Sequence, residues 1–224
     1  MTAAGTRLVE VRRNIMKKND LLARDLRERM QTAGVFVISL VSSPGAGKTT
    51  FLERTLTELA RTHRVAALVG DLATDNDRDR LARSGVPVRQ ITTGTLCHLE
   101  AEMVETALDG WDLEALDILF IENVGYLVCP ASWDLGEDQR VVLLSVTEGE
   151  DKPLKYPTIF NTADLAVITK IDLAEPCDFN RETAEHNIHT VRPNLPIFDV
   201  SAKTGQGMGG WVEWITSVTR GKSE

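Results

Sequence analysis

Largely apolar runs recur along the chain from residue 34 onward, and segments of a dozen or more residues, helical or rich in loops, separate most of them. Apolar runs without polar alternation are typical of strands that are covered on both faces. Spacing of this length indicates crossover connections, because parallel neighbours cannot be joined by a tight turn. We predict strands at 35–41, 65–69, 118–121, 141–146, 165–168 and 196–200, with a further strand at 86–91.

Residues 8–32 contain neither glycine nor proline. Apolar side chains repeat there at roughly helical intervals between charged ones, at Leu8, Val11, Ile15, Leu22, Leu26 and Met30. This pattern predicts an amphipathic helix within 1–33, which we assign to the same domain as the segment 34–224. Packing on the sheet is its expected role, and partner docking or dimerisation is the alternative. A closing helix is predicted at 208–218. Together these elements predict an α/β fold, in which helices flank a mostly parallel, doubly wound sheet.

The composition narrows the functional classes. With 224 residues and 42% hydrophobic side chains, the chain can form one large domain with its own core. Its net charge of -8 argues against binding to nucleic acid or to an anionic membrane. The N-terminus lacks an apolar signal core, so we expect a cytoplasmic protein. Three widely spaced cysteines indicate thiols or metal ligands rather than a disulfide framework.

The segment 42–50 reads Ser-Ser-Pro-Gly-Ala-Gly-Lys-Thr-Thr and joins the first predicted strand to a predicted helix. It matches the phosphate-binding pattern G-x-x-x-x-G-K-[ST], except that Ser42 replaces the first glycine. In such a loop the backbone N–H groups surround phosphate oxygens, the lysine reaches the β and γ phosphates, and the hydroxyl after it can ligate Mg²⁺. We therefore predict a P-loop whose binding residues are Gly45, Ala46, Gly47, Lys48, Thr49 and Thr50, with Lys48 and Thr49 also catalytic.

Two later strands end in segments that suit a guanine base. Thr-Lys-Ile-Asp occupies 169–172, and Ser-Ala-Lys-Thr-Gly occupies 201–205. The Asp172 carboxylate can accept hydrogen bonds from guanine N1–H and its exocyclic amine, whereas adenine would leave the charge unpaired. Here the sequence resembles P-loop GTPases, with Thr169 in place of their usual asparagine. The resemblance implies GTP or GDP binding by Thr169, Lys170, Asp172, Ser201, Ala202 and Lys203.

Acidic residues follow two other strands and are magnesium candidates beside Thr49. Asp71 and Asp75 lie after one predicted strand, and Glu122 begins Glu-Asn-Val-Gly where GTPases usually have D-x-x-G. Glu122 can hold Mg²⁺ through water, and the Gly125 N–H can contact the γ-phosphate. Tyr126 stands where small signalling GTPases place a water-orienting glutamine, so we expect slow hydrolysis. Asp75 and Glu122 complete the predicted catalytic set.

A soft-donor group lies near this segment. Cys97 and His98 are adjacent, and Cys129 follows Gly125 by four residues. Thiolate and imidazole suit nickel or zinc better than magnesium. His98 and Glu102 would share one face if both were helical, so Glu102 is a further ligand candidate. Without a C-x-x-C spacing, buried thiols beside a surface histidine remain the alternative.

Three longer motifs resemble one family, the nickel-insertion GTPases of hydrogenase maturation, or HypB proteins. They are Cys-His-Leu-Glu-Ala-Glu at 97–102, the segment 122–130, and Ser-Val-Thr-Glu-Gly-Glu-Asp-Lys-Pro-Leu-Lys-Tyr-Pro at 145–157, within a similarity that runs from about residue 8 to the C-terminus. The resemblance implies a SIMIBI-type P-loop GTPase with a GTP-dependent homodimer. It also implies nickel or zinc binding by Cys97, His98 and Cys129. Where this chain has Glu102 the family commonly has histidine, so the choice between nickel and zinc stays open.

The function implied by this resemblance is GTP-dependent delivery of nickel to a hydrogenase large-subunit precursor, together with a nickel-accessory protein. Three alternative functions differ from this one, either in the sequence features that they require or in the activity that would be measured. A metal-delivery GTPase of the urease or cobalamin type would have a C-P-H motif or another switch. A small-metabolite kinase would need an acceptor lid with several arginines. A non-catalytic metal-binding module would not turn over GTP.

Overall fold

Seven parallel strands form the centre of the molecule in the part of the chain that the computed structural model describes, residues 3–71 and 76–220. Their order across the sheet is β3-β2-β4-β1-β5-β6-β7. The predicted α/β fold with a doubly wound parallel sheet is therefore confirmed. The strands are β1 (Phe36–Ser42), β2 (Val65–Asp71), β3 (Val88–Thr92), β4 (Ile118–Glu122), β5 (Gln139–Ser145), β6 (Leu165–Thr169) and β7 (Ile197–Val200).

Helices cover both faces of this sheet, as parallel strands joined by crossovers require. None of the helices in the described ranges is long and apolar enough to cross a bilayer. The α-helices are α1 (Ala3–Thr32), α2 (Lys48–Leu59), α3 (Asn76–Leu81), α4 (Ala101–Ala107), α5 (Lys152–Lys155), α6 (Pro157–Asn161), α7 (Arg181–Val191) and α8 (Met208–Arg220). Short 3₁₀ turns lie at Ala82–Ser84, Leu113–Ala115, Pro130–Ser132, Val146–Glu148 and Ile171–Leu173.

The central strand β1 shows why the strands are apolar throughout. Ile38 and Leu40 face a core that includes side chains of α2 and α8, whereas Val37 faces the core shared with α1 and α4. Both sets are buried. Since successive side chains of a strand point to opposite faces, burial on both faces leaves no room for polar alternation.

The strand register brings the ends of β1, β2 and β4 to one edge of the sheet. Glu122 at the end of β4 lies opposite Leu40 of β1 and Val69 of β2. The loop after β1 therefore starts beside Glu122, and Asp71 ends its strand nearby. Ligands of parallel α/β sheets bind outside this carboxyl edge, which is where the predicted nucleotide residues converge.

Helix α1 packs on the sheet through its second half. Leu26 and Met30 are each 2% exposed and share a core with Leu68 and Leu119 of the strands. Ile15, expected on the same apolar face, is instead 48% exposed. Of Leu8 and Val11 the structure describes only the backbone. The division of the chain at residue 33 stays a prediction.

We predict that the core between α2 and α8 depends on Trp211. Its fully buried ring lies 5.1 Å from the ring of Phe51, and its indole N–H donates a hydrogen bond to the Thr55 hydroxyl at 3.0 Å. Trp211→Ala removes this packing and leaves a cavity, so the free energy of unfolding should fall by about 3–5 kcal/mol. Urea denaturation followed by circular dichroism measures the change.

The neighbouring Trp214 provides the control for this prediction. Its ring stacks on Trp211 at 5.3 Å between centroids, but the side chain is only half-buried. Trp214→Ala should therefore cost clearly less than Trp211→Ala. Equal losses for the two variants would show that burial of Trp211 is not the cause.

Candidate functional site

The loop 43–47 forms a phosphate-sized cradle at the start of α2. Gly47 precedes the helix with a φ of 90°, a left-handed conformation that favours glycine, and Gly45 has a φ of 76°. The loop, Gly125 and Lys170 line a cavity of about 450 Å³. The N-terminus of a helix of twelve residues opens into this region, and its unpaired N–H groups favour an anion.

One buried carboxylate organises the P-loop side chains. Glu122 is 1% exposed, and its Oε1 lies 3.2 Å from Lys48 Nζ. The same oxygen accepts a hydrogen bond from the Thr49 hydroxyl at 2.7 Å. The Lys48 charge compensates the buried carboxylate, which would otherwise be costly. Glu122 Oε2 has no hydrogen-bond partner among the described residues. Two carboxylate oxygens and a hydroxyl are a donor set that fits Mg²⁺.

The aspartates at the end of β2 and after it differ in their positions relative to the phosphate cavity. Asp71 is the last residue of β2, opposite Thr92 of β3, and it is partly buried. Asp75 lies outside the described residues. Asp77, on α3, lines the phosphate cavity. The sequence analysis did not select Asp77, because four aspartates within a few residues provide no spacing signal that ranks them.

A second cavity, of about 380 Å³, adjoins the first and holds the predicted base-binding residues. Asp172 lines it, and Asp172 Oδ1 accepts a hydrogen bond from the Ser201 hydroxyl at 2.6 Å. Ser201 Oγ in turn accepts from the Thr204 N–H at 3.1 Å. The carboxylate is thus fixed against the 201–205 loop. The cavity wall also includes Thr50, Thr169, Lys170, Ala202 and Lys203.

The base segment is tied directly to the P-loop. The Thr169 hydroxyl donates to the Ala46 carbonyl at 2.7 Å, and Lys170 Nζ donates to the Gly45 carbonyl at 2.6 Å. Thr169 therefore makes a side-chain bond to the loop although it replaces asparagine. Lys170 has a φ of 59°, a strained value for a residue with a side chain. These bonds hold the base segment against the P-loop, and so they fix the position of the base cavity relative to the phosphate cavity.

Arg80 lines both cavities and was not selected from the sequence. It extends from α3, where its Nε lies 3.0 Å from Glu53 Oε2. Gly47, Thr50 and Lys170 also line both cavities. The two cavities thus form one continuous site, large enough for the base and the phosphates of a single nucleotide. Arg80 is one of two arginines on the charged helix α3, and no local sequence pattern distinguishes it from the other.

The segment after β4 contacts the P-loop and the soft donors together. A Cβ added to Gly125 would lie 3.2 Å from Pro44 Cα, so this glycine permits close approach of the two backbones. Asn123 is 1% exposed, and its Oδ1 accepts hydrogen bonds from Leu99 N–H at 3.1 Å and from Val124 N–H at 2.9 Å. Asn123, which the sequence analysis missed, therefore joins this segment to the residues just after His98.

The predicted soft donors come together. One donor atom from each of Cys97, His98 and Cys129 lies within 4.8 Å of the others. The structure joins the two sulfurs as a disulfide, with 6.1 Å between the Cα atoms. The sequence analysis expected unpaired thiols, and the structure differs from this expectation; the two cysteines lie 32 positions apart, so the sequence does not reveal how closely the loops approach. In the reduced state the same approach presents two thiolates to one metal ion. Cys177 is a free, exposed thiol.

The surroundings of His98 favour the neutral imidazole. Its ring stacks on Trp133 with 4.4 Å between centroids. Burial lowers the pKa of His98, although the nearby Glu100 carboxylate opposes the shift. Nδ1 lies 3.8 Å from Cys97 Sγ, while Nε2 lies 3.4 Å from Glu100 Oε1 without a hydrogen bond among the described residues. Neutral imidazole is the form that binds metal, and a carboxylate beside the second nitrogen can fix its tautomer.

The predicted shared helical face of His98 and Glu102 is wrong. Helix α4 begins at Ala101, so Cys97 and His98 lie in the turn before it. The Glu102 carboxylate instead lies 3.1 Å from Lys18 Nζ, and both side chains are exposed. Glu102 is not among the clustered donors of the described residues. Glu100 at the N-cap provides no side-chain cap, so the sequence had no clear signal for the start of this helix.

The parallel sheet, the glycine-rich loop between β1 and α2, and the base cavity beside it define a P-loop nucleotide-binding protein. The model of the CobW/HypB/UreG nucleotide-binding domain matches residues 36–199. The chain belongs to this family, and within it to the HypB hydrogenase maturation factors.

Three relatives illustrate the similarity. Hydrogenase maturation factor HypB from Azotobacter chroococcum is 48% identical over 212 residues, which cover 94% of this chain and 69% of the relative. The crystal structure of HypB from Helicobacter pylori in complex with nickel has a TM-score of 0.86 and 42% identity, covering 91% of this chain and 95% of that one. HypB from Archaeoglobus fulgidus has a TM-score of 0.84 and 36% identity, covering 91% and 99%.

We predict that Asn123→Ala weakens the junction between the two segments. The amide N–H groups of Leu99 and Val124 lose their buried acceptor, so the free energy of unfolding should fall by about 1–3 kcal/mol. Hydrogen exchange at both amides should accelerate, as measured by NMR. Asn161→Ala, at an exposed position, is the matched control. Unchanged exchange at Leu99 in Asn123→Ala would contradict the assigned contact.

Proposed function

We propose that this chain is a GTP-hydrolysing metal carrier that binds nickel and assists its insertion into a hydrogenase precursor. The observation that carries the proposal is the position of the soft donors on segments joined, through Asn123, to the segment of Glu122 and Gly125. The relatives support it, since they are named hydrogenase maturation factors and one was solved in complex with nickel.

The base cavity suits guanine. The Asp172 carboxylate, fixed by Ser201, supplies acceptors for the N1–H and the exocyclic amine, and Lys170 also lines the cavity. The backbone of Ser201, Ala202 and Lys203 can meet the guanine carbonyl. An adenine would leave the Asp172 charge without donors, at a cost of desolvation.

Hydrolysis of GTP depends on the residues of the phosphate cavity, at and around the P-loop. Lys48 and the N-terminus of α2 stabilise the charge of the transferring phosphoryl group. Lys48 contacts Glu122, and a bound phosphate would compete with Glu122 for the Lys48 ammonium group. Thr49 and Glu122, with Asp71 or Asp75, would hold Mg²⁺, which neutralises charge on the β and γ phosphate oxygens when bound. Exposed Tyr126 cannot act as a glutamine does in placing water, so intrinsic turnover is slow.

Nickel is the cargo of this cycle, and zinc is a competing ion with the same donor preferences. A γ-phosphate at Gly125 orders the segment 122–129, at whose end Cys129 lies. Through Asn123 the same ordering reaches Leu99 and the Cys97–His98 turn. Nucleotide state thereby changes the spacing of the metal donors.

Two thiolates and one imidazole leave a four-coordinate site incomplete, so a second copy of the chain completes it in a GTP-dependent homodimer. We place the protein in the cytoplasm, where reducing conditions keep the thiols available. The partners are a nickel-accessory protein and the hydrogenase large-subunit precursor. A urease precursor is a second candidate client, because a relative from Helicobacter pylori, 45% identical, is a hydrogenase/urease maturation factor.

We predict that Asp172→Asn changes the base preference. The new amide group places a donor where the carboxylate accepts, so it opposes the exocyclic amine of guanine and suits the carbonyl of xanthine. GDP affinity should fall at least about 100-fold, and XDP affinity should rise. Isothermal titration of both nucleotides measures the switch. Asp178→Asn, at an exposed position beyond the cavity, should bind GDP like the wild type. GDP binding by Asp172→Asn at wild-type affinity would refute the assignment.

We also predict that nickel binding requires Cys97 and Cys129 and depends on the nucleotide. In the reduced protein, Cys97→Ala and Cys129→Ala should each lose at least about tenfold in nickel affinity, whereas Cys177→Ala should not change it. Each protein is titrated with nickel and zinc in the presence of GDP or a non-hydrolysable GTP analogue, and sedimentation reports dimerisation. Equal metal affinities across all samples would remove the metal-carrier proposal and leave the nucleotide site intact.

A further inference from the structure

Helix α1 contains a buried amide that the proposed cycle does not use. Asn19 is 6% exposed, on the same helix as the core residues Ala23 and Leu26. Its Nδ2 donates to the Asp134 carbonyl at 2.9 Å, and its Oδ1 accepts from the Ala101 N–H at 2.8 Å. Burying an amide is costly unless such bonds are made. The bonds of Asn19 therefore specify which two backbone groups must meet α1.

These two backbone groups belong to the two segments that present the soft donors. Ala101 begins α4 directly after the turn of Cys97 and His98. Asp134 follows Cys129 and the short 3₁₀ turn Pro130–Ser132. The partners of Asn19 are 82 and 115 positions away in sequence. The Asn19 side chain therefore connects both donor segments to helix α1.

Other contacts hold the same three parts together. The Trp133 ring, adjacent to Asp134, stacks on the His98 imidazole. Arg27 on α1 donates to Asp134 Oδ1 at 2.6 Å, and a Cβ on Gly136 would lie 2.9 Å from the Ala23 carbonyl. The second donor segment therefore packs closely on α1. Of the α1 residues named here, Asn19 is the one that hydrogen-bonds to both donor segments.

We propose that Asn19 is a positioning residue for nickel binding. It acts through the backbone at Ala101 and Asp134 and fixes the spacing of the Cys97–His98 turn relative to Cys129. The inference rests on the proposed function, because it assumes that these donors bind the metal. Residues that orient metal ligands from the outer shell typically contribute 10–100-fold to metal affinity. A donor set held by two separate loops depends on such support.

The test compares Asn19→Leu with Asn14→Leu in the reduced chain of 224 residues. Leucine has nearly the shape of asparagine and removes both hydrogen bonds, whereas Asn14 is exposed on the same helix. Nickel dissociation constants come from competition with a chromophoric chelator, and the thiolate-to-nickel charge-transfer absorption reports the ligand set. We expect Asn19→Leu to raise the nickel Kd by about 10–100-fold, with the GDP Kd within about twofold of the wild type and Asn14→Leu unchanged.

A second variant keeps the proposal testable if Asn19→Leu does not fold. Asn19→Ala removes both hydrogen bonds but leaves space in which water can satisfy the Ala101 N–H and the Asp134 carbonyl, so its nickel Kd should still exceed that of the wild type while its GDP Kd stays unchanged. A folded variant with wild-type nickel affinity and only a lower unfolding temperature would show a purely structural role. Equal losses of nickel and GDP affinity would show general damage and also overturn the inference.

Failure of the proposed function gives a different result. If the wild type and Asn14→Leu bind nickel no better than Cys97→Ala does, the donors are not a metal site, and both proposals fall. If the wild type binds nickel through its cysteines and Asn19→Leu binds it equally well, the inference about Asn19 alone is refuted.

Discussion

The buried Glu122 carboxylate is the interaction on which the arrangement of the site depends. A charge at 1% exposure must be compensated, and Lys48 Nζ and the Thr49 hydroxyl both meet its Oε1. This requirement fixes the end of β4 against the start of α2, since either side chain alone would leave a buried group unpaired. The loop after Glu122 must therefore leave the sheet beside the P-loop, and Gly125 allows its backbone to approach Pro44 closely.

From that point the chain reaches the soft donors within a few residues, yet the loop does not hold them alone. Asn123 attaches the Cys97–His98 turn to the end of β4, while Asn19 attaches both donor segments to α1. The donors are thus held by two supports, which are the contacts of Asn123 at the end of β4 and the contacts of Asn19 on helix α1. One support, at Asn123, lies two residues before Gly125, which lines the phosphate cavity, and in the proposed cycle it responds to nucleotide. The other, α1, shares its core with the strands and provides a fixed reference.

Much of the fold could be predicted from the sequence, because strands buried on both faces must be apolar and the P-loop is a contiguous motif. The residue types alone left the donor cluster as one of two alternatives, and the resemblance favoured it, since the cysteines lie 32 positions apart without a recognisable ligand spacing. Arg80, Asn123 and Asn19 were missed because their roles consist of contacts between distant segments, which no local pattern indicates. The start of α4 was misplaced because no capping side chain marks it. Asp75 lies outside the described residues, so its role stays a prediction.

In the proposed cycle, the two parts of the nucleotide site differ in whether they could control the metal donors. The side chains of Thr169 and Lys170 donate to P-loop carbonyls and so connect the base segment to the P-loop. A ligand shifts a conformational equilibrium only through contacts that differ between the two states. GDP and GTP share the base and differ in the γ-phosphate. In the proposed cycle the driving energy must therefore come from Lys48, Glu122 and Gly125, where that phosphate competes with a buried ion pair.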